Sequence, residues 1–303
     1  MSFGAIPIRT RAAIAHRFQI LLNRVNPAPR DRLLLASHRD TVTRRLSSSF
    51  RTNRVLAIGS FVRGSAIRHY SDLDLLLVLT IREVRWGNSY KSSYTVLNEV
   101  RAQLQSRYQR TEVGRDGQAV VIEFADGAHP VDVVPGFFSR VTNKIPVYWI
   151  PDGGGEWIET SPMTHNRYIR IEDTRSAGKL KNVAKVIKLW RVCRSPEIPL
   201  NSFHLELLLA AVGTCLGVKS YSQCLFDTLR LIDARDCRAL QDPLGISGLV
   251  KAANTESKLE RLRTSVANSY AHGVRAIVAE EEGDTQEAVR QWDIVFNGNF
   301  PPL

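Results

Sequence analysis

The sequence has 303 residues, of which 44% are hydrophobic and 23% are charged, an ordinary composition for a folded globular protein. This composition excludes the collagen-like, disordered and membrane-embedded classes, and the length suits one large domain or two joined lobes. The net charge is +11, and residues 1–54 carry +9 of it, with eleven arginines, no lysine and two acidic residues. Such an excess favours an anionic partner: nucleotide, nucleic acid or membrane surface.

Two helices are predicted before residue 50. Apolar residues recur at helical spacing through residues 14–25, and Asn26-Pro27-Ala28-Pro29 ends this helix because proline cannot continue one. An Arg-rich, acid-poor beginning is also typical of an organellar transit peptide. The apolar periodicity favours the alternative, that these helices belong to the fold.

The sequence then changes from strands to helices. Predicted strands cover 54–58, 71–79, 119–124 and 130–134, with a helix over 91–110. The last two strands are joined around Asp126-Gly127, a dipeptide typical of hairpins. Helices are predicted over 173–194, 201–217, 221–235 and 254–281. We therefore predict an α+β fold with two lobes: residues 1–160 form a mixed sheet with helices, including the two N-terminal ones, and residues 161–303 form a helical lobe.

The four cysteines show no CxxC pair and no neighbouring His cluster, which disfavours a zinc or thioredoxin-like site. They are interpreted as reduced thiols in a cytoplasmic protein. No apolar run reaches the ~18 residues of a membrane span, and the longest candidate, residues 205–218, is interpreted as a buried helix.

Two carboxylates stand out in the apolar segment 71–79. Residues i and i+2 of a strand share a face, so Asp72 and Asp74 project together, away from Leu73, Leu75 and Leu77. Adjacent carboxylates repel each other unless a cation lies between them. Hard divalent cations, chiefly Mg²⁺, suit such a pair because they bind carboxylate oxygens and bridge phosphates.

A two-metal site needs a third carboxylate. Asp132 is favoured because it is an acid between Val131 and Val133 in an apolar strand, where an unpaired carboxylate is costly. Glu123, on the preceding strand, is the alternative.

Gly59-Ser60 lies between a strand and a short helix. Glycine lets the backbone approach a ligand closely, and the Ser60 hydroxyl and the following N–H groups can hold an anion. The dipeptide is common by itself, but here it precedes the Asp-x-Asp strand.

The order Gly-Ser, Asp-x-Asp and a separate third Asp resembles the polymerase-β-like nucleotidyltransferases. Residues 59–67 before Asp72 are similar to the bacterial synthases related to cyclic GMP-AMP synthase, the CD-NTases or SMODS nucleotidyltransferases. Lys188-Leu189-Trp190, residues 201–206 and residues 292–301 extend the resemblance toward the end of the chain.

The resemblance implies a cytosolic enzyme that joins nucleoside triphosphates (ATP, GTP, UTP or CTP) into cyclic di- or oligonucleotides in anti-phage (CBASS) signalling, without a template. Asp72, Asp74 and Asp132 would hold two Mg²⁺ ions, with Mn²⁺ as an alternative. Lys188 and Ser202 match family positions that hold the donor phosphates.

Three residues of the helical lobe have competing interpretations. Lys188 shares a helix face with Lys181 and Lys185, which is also the pattern of a solvated face. Helix capping explains Ser202 about as well as phosphate binding does. Asn166, at the predicted lobe junction, could contact a base edge, although a capping or loop role suits its residue type better.

Alternative functions remain open. The basic beginning could bind RNA, which would make the protein a terminal nucleotidyltransferase acting on tRNA or other RNA 3′ ends. An antibiotic-modifying nucleotidyltransferase and a non-catalytic nucleotide-binding module are further alternatives. As partners we expect the triphosphates and an anionic activator or RNA at the basic N-terminal region, with no membrane; we expect a monomer.

Overall fold

A computed structural model describes residues 8–124 and 129–303, so the predicted Asp126-Gly127 turn lies outside the described residues. In the first half of the chain the elements are α1 (Ile8–Val25), α2 (Pro29–Ser49), β1 (Thr52–Ala57), α3 (Gly59–Arg63), β2 (Leu73–Leu79), β3 (Arg85–Trp86), β4 (Ser89–Tyr90), α4 (Ser93–Arg107), β5 (Glu112–Asp116), β6 (Ala119–Glu123), β7 (Val131–Thr142), β8 (Ile145–Pro151) and β9 (Trp157–Thr160). In the second half they are α5 (Pro162–Arg175), α6 (Lys179–Val192), α7 (Ser202–Val212), α8 (Tyr221–Ala234), β10 (Leu240–Gln241), β11 (Leu249–Val250), α9 (Glu256–Glu282) and α10 (Thr285–Val295).

The chain divides into two compact units. The sheet unit contains residues 27–124, 129–167 and 244–248, and the helical unit contains residues 8–26, 168–243 and 249–303. The predicted boundaries placed both N-terminal helices with the sheet, whereas α1 packs against α6, α8 and α10 of the helical unit. The physical reason is the apolar face of α1: the ring of Phe18 makes edge contacts with Trp292 and Phe300.

The sheet is mixed, in the order β1-β2-β7-β6-β5, with β8 paired to β7 and β9 to β8. Only β2 and β7 of these neighbours run parallel. Leu73, Leu75 and Leu77 of β2 face a core formed with apolar residues of α2 and α4. Leu76 and Val78 face a smaller cluster on the opposite side, so alternation along β2 separates its two faces.

The second half of the chain differs from the predicted elements at several points. α10 is not among the predicted helices, α7 ends at Val212 and not at residue 217, and α5 begins at Pro162, before the predicted start at residue 173. Residues 173–194 were predicted as one helix, but α5 ends at Arg175 and α6 begins at Lys179. Ala177 and Gly178 adopt positive φ angles of 54° and 77°, which a helix cannot contain, and the Gly178 N–H donates to the Asp173 carbonyl. The predicted α+β fold, with a mixed sheet and a helical lobe, is confirmed. No helix in the described part of the chain is both long and apolar enough to cross a membrane.

Candidate active site

Two aspartates lie opposite each other on the parallel strands β2 and β7. The register pairs Asp74 with Asp132 and Leu73 with Val131. Val131 and Leu73 belong to the core formed with α2 and α4, so the two aspartates project from the other face of the sheet. Asp72 immediately precedes β2, two residues before Asp74, at the start of the same row. The fold thus brings three carboxylates to one end of one sheet face.

The electrostatics of Asp132 are unusual. Burial, which is the largest cause, and the charges of Asp72, Asp74 and Asp116 together raise the pKa of Asp132 from 3.8 to about 8. Its Oδ1 atom is buried and has no hydrogen-bond partner among the described residues. A buried polar atom without a partner costs about 1–3 kcal/mol. This position therefore favours a proton or a cation.

Glu123, the alternative third carboxylate, lies elsewhere. β6 pairs with the side of β7 that is remote from β2, and Glu123 is exposed and opposite Glu112 of β5. The structure therefore brings Asp132, and not Glu123, beside Asp74.

Gly59 makes the closest approach to the carboxylates. The Ile58 N–H donates to the Asp74 carbonyl at 2.9 Å, which joins the end of β1 to β2 just before α3 begins at Gly59. Gly59 has a φ of +71°, and a Cβ atom added there would lie 1.8 Å from Oδ2 of Asp74. Only glycine satisfies both conditions without rearrangement. Ser60 follows it in the first turn of α3.

The donor chemistry at this site suits a divalent cation shared with a substrate. Within residues 8–124 and 129–303, no group of three or more His, Cys, Asp or Glu side chains forms a ready-made metal cluster. Mg²⁺ usually binds one or two carboxylates together with water and substrate phosphates, rather than an all-protein cage. The unpartnered oxygen of Asp132 and the repulsion from its neighbours fit that kind of site.

Lys188 is buried in the helical unit. Its side chain is 4% exposed, and its Nζ lies 2.5 Å from Oε1 of Glu206, whose side chain is fully buried. The interpretation of a solvated lysine face is therefore wrong for Lys188. The other two lysines of that face have different surroundings: Lys181 pairs with Asp173, and Lys185 donates to Asn26.

Ser202 is the first residue of α7, but it is not the cap. Asn201 caps this helix, because its side chain accepts hydrogen bonds from the N–H groups of Phe203 and His204. The Ser202 hydroxyl instead accepts a hydrogen bond from Arg191 Nη1 at 3.2 Å. Capping therefore does not explain Ser202.

Asn166 lies in α5, so the predicted capping or loop role is wrong. Its Oδ1 accepts from Arg63 Nη1 at 3.5 Å, a long hydrogen bond that links α5 to α3 within the sheet unit. Asn166 is thus connected to the helix that begins at Gly59-Ser60.

Glu206 is a buried acid to which the sequence pattern assigned no role, although it lies within one of the motifs that carry the resemblance. The available signal was the same one that identified Asp132, namely a single acid surrounded by apolar residues. Its partner Lys188 lies 18 positions earlier on another helix, so helical periodicity does not predict that the two residues are in contact.

Carboxylates on adjacent strands, a Gly-Ser helix start beside them and a separate helical unit define a polymerase-β-like nucleotidyltransferase. Residues 13–172 match the Second Messenger Oligonucleotide or Dinucleotide Synthetase (SMODS) domain, which is more than half of the chain. The chain belongs to this family and is a nucleotidyltransferase.

Curated relatives cover most of the chain. A probable cyclic nucleotide synthase of Bacillus cereus strain VD146 is 24% identical over 82% of this chain and 82% of its own length. The cyclic AMP-AMP-AMP synthase of Escherichia coli strain MS 115-1 is 21% identical over 83% and 84%.

Solved structures share the fold. The structure of E. coli MS115-1 CdnC with ATP matches with a TM-score of 0.71 and 18% identity, covering 97% of this chain and 98% of that one. The Vibrio cholerae DncV cyclic AMP-GMP synthase with a linear intermediate matches with a TM-score of 0.62 and 12% identity, covering 82% and 70%.

Proposed function

We propose that the protein joins nucleoside triphosphates into a cyclic di- or oligonucleotide messenger and releases pyrophosphate, without a template. The observation that carries this proposal is the register of β2 and β7, which sets Asp74 against Asp132 with Asp72 beside them; the Oδ1 atom of Asp132 is buried and has no hydrogen-bond partner among the described residues. The family match and the activities for which the two relatives are named support the same chemistry. The substrates would be drawn from ATP, GTP, UTP and CTP.

Asp72, Asp74 and Asp132 would hold two Mg²⁺ ions, or Mn²⁺ in their place. Bound there, the ions supply charge neutralisation for the triphosphate and a lower pKa for the attacking ribose hydroxyl. The missing side chain at Gly59 lets the Asp74 carboxylate lie against the start of α3, and the Ser60 hydroxyl in the same turn would donate to the phosphate oxygens.

The helical unit would supply further phosphate contacts. Lys188 is a cation already held by Glu206, and Ser202 has a hydroxyl oriented by Arg191, so both polar groups are positioned before substrate arrives. Asn166 would contact the donor base through its amide. These three roles rest on the resemblance, supported by the positions described above.

The biological setting that we propose is anti-phage (CBASS) signalling in the cytoplasm, by a monomeric enzyme. The similarity of residues 59–74 to bacterial cyclic oligonucleotide synthases supports this setting.

The test uses purified protein, the four triphosphates and Mg²⁺. We expect pyrophosphate release and a product that resists phosphatase, whose bases and linkage mass spectrometry and nuclease digestion would identify. Asp72→Ala/Asp74→Ala and Asp132→Asn should each abolish product formation while thermal unfolding still shows a folded protein.

Two results would contradict the proposal. Turnover that survives the loss of Asp72 and Asp74 would exclude the assigned carboxylates. A product that forms only on an added RNA 3′ end would instead identify a terminal nucleotidyltransferase.

A further inference from the structure

In the sheet unit, three exposed aromatic rings and two arginines follow β2 in the chain; Arg115 is exposed and Arg85 is half-buried. We call this surface the Trp86 patch; its members are Arg85, Trp86, Tyr90, Tyr94 and Arg115. The exposed fractions of its rings are 62% for Trp86, 49% for Tyr90 and 39% for Tyr94. Three large rings exposed within residues 86–94 indicate an interaction surface, whereas scattered exposed residues would not.

The patch is held by the fold. β3 and β4 form a tight hairpin in which Trp86 pairs with Ser89, and Gly87 adopts a φ of +58° at the turn. The Tyr90 ring stacks on buried Phe137 with centroids 5.2 Å apart. The Lys91 N–H then donates to the Val84 carbonyl at 2.9 Å, which closes the base of the hairpin. Trp86 is therefore presented on an anchored element.

Two arginines lie over the rings. The Arg85 guanidinium is 4.3 Å from the centre of the Tyr90 ring, and that of Arg115 is 4.9 Å from the centre of the Tyr94 ring. Over the chain that the structure describes, neither arginine forms an ion pair with an acidic side chain. Both guanidinium groups thus keep their charge available, and the ring beneath each one limits its motion.

We propose that the Trp86 patch binds single-stranded nucleic acid. Unpaired bases stack on aromatic rings and on guanidinium groups, which here are the exposed Trp86 ring and the two guanidinium groups that cover Tyr90 and Tyr94. Phosphates bind the same arginines, so one surface satisfies both parts of the ligand. A duplex hides its base faces and could use only the charge. An acidic peptide would likewise use the arginines but would leave the Trp86 face unoccupied.

This surface is separate from the carboxylates. Tyr90 stacks on Phe137, which pairs with Leu79 at the end of β2 remote from Asp72, and seven strand residues span about 20 Å. Arg115 pairs with Val120, which faces the core formed with α4, on the opposite face of the sheet from Asp132. The Trp86 patch also differs from the basic N-terminal region that the sequence indicated for an anionic partner. Binding there does not depend on the reaction that we propose for the carboxylates.

The test is fluorescence anisotropy with the full chain and a labelled 12-nucleotide oligo(U), compared with a 12-base-pair blunt duplex. Trp86→Ala should weaken oligo(U) binding by about 5- to 100-fold, the effect of losing one base stack. Arg85→Met/Arg115→Met should lower the affinity and reduce the salt slope by about 0.7 for each phosphate that the arginines no longer neutralise. Arg107→Met is the matched control: it removes a guanidinium over Tyr108 near the other end of α4 and should change the affinity less than twofold.

Three results would overturn the proposal. The first is that the protein binds the duplex and oligo(U) with equal affinity, and the second is that Trp86→Ala leaves the affinity for oligo(U) unchanged. The third is that a poly-glutamate peptide displaces oligo(U) and itself requires Trp86 for binding; this result would identify a protein partner. Absence of oligo(U) binding would overturn it as well. Because anisotropy needs no turnover, failure here leaves the proposed synthase activity standing, and failure of that activity leaves this surface standing.

Discussion

At position 59 the chain passes so close to Asp74 that no side chain fits between them. We expect Gly59→Ala to lower pyrophosphate release by at least about 100-fold, because the new Cβ would displace the Asp74 carboxylate and ångström-scale displacements at a reacting centre have effects of that size. The measurement is steady-state pyrophosphate release together with thermal unfolding.

Gly117→Ala is the matched control for that substitution. Gly117 also has a positive φ, +52°, but an added Cβ there would meet nothing within 4 Å. The backbone strain is therefore shared, about 1–2 kcal/mol, while the clash is specific to Gly59. Comparable losses of activity in the two variants would show that the approach to Asp74 has no role in the reaction.

The buried pair of Lys188 and Glu206 could act in protein stability or in triphosphate binding, and substitutions can distinguish these two roles. Removing one partner leaves a buried charge uncompensated and should destabilise the protein by about 3–5 kcal/mol, whereas replacing both with apolar residues of similar volume is often neutral or stabilising. We therefore expect Lys188→Met/Glu206→Leu to unfold at or above the wild-type temperature but to bind a non-hydrolysable triphosphate at least about tenfold more weakly. Wild-type triphosphate affinity in this stable double variant would assign the pair to the core alone.

The candidate site could be predicted from sequence where the signal is local. Asp72 and Asp74 differ by the two-residue repeat of a strand, and Asp132 is an acid between valines, so alternation and the cost of burial were sufficient. The contact between Gly59 and Asp74 joins residues 15 positions apart and depends on how β1 meets β2. The pairing of Lys188 with Glu206 depends on how two helices pack, which periodicity does not encode.

At the scale of elements, strong periodicity was predictive and short segments were not. The apolar repeat of β2 and the helices α6 to α9 were found, but α10, β8 and β9 were missed, and α5 was predicted only from residue 173 onward. β8 contains two prolines and β9 has four residues, so neither shows a clear alternation. β8 pairs with β7 and β9 pairs with β8, and this pairing holds both segments as strands although their sequences do not indicate it.

Glu280 of α9 connects three helices of the helical unit and makes the stability of the protein depend on pH. Its carboxylate accepts hydrogen bonds from Trp292 Nε1 of α10 and from the Ser222 hydroxyl of α8, at 2.8 and 2.9 Å. Burial nevertheless raises the pKa of Glu280 above its ordinary value of 4.5. The folded protein therefore binds more protons than the unfolded chain just above pH 4.5, and its stability falls as pH rises through the folded pKa.

Glu280→Gln should remove that pH dependence while retaining an amide that can pair with both neighbours. We expect the unfolding temperature of this variant, relative to that of the wild type, to increase as pH rises from 4.5 to 8. Calorimetry measures both temperatures. Glu282→Gln, at an exposed position near the end of the same helix, is the control and should follow the wild type. A gain that is independent of pH would show that Glu280 does not titrate in this range.

At the scale of the whole molecule, the excess charge and the proposed chemistry occupy different parts of the chain. Most of the +11 lies before residue 55, whereas the proposed site begins at Gly59 and depends on carboxylates. The basic segment is itself divided, because α1 belongs to the helical unit and α2 to the sheet unit. The position of the charge along the chain can be read from the sequence. That α1 belongs to the helical unit cannot, because it depends on contacts with residues more than 250 positions away, such as those of α10.

Neutralising the exposed arginines of α1 should therefore leave the basal reaction unchanged. Arg9, Arg11 and Arg24 are exposed, while Arg17 is half-buried and donates to the Ala13 carbonyl, so it is left in place. With Arg9→Gln/Arg11→Gln/Arg24→Gln we expect pyrophosphate release from triphosphates alone to stay within about twofold of wild type, since the apolar face of α1 is intact.

Phe18→Ala provides the contrast on the same helix. This ring is fully buried against Trp292 and Phe300, and its removal should destabilise the protein by about 3–5 kcal/mol by leaving a cavity. The two variants together test whether α1 acts through packing or through charge. If the arginine variant loses more than about tenfold of its basal turnover while its unfolding temperature is unchanged, the charge of α1 contributes to the reaction itself, and the separation of charge from chemistry is wrong.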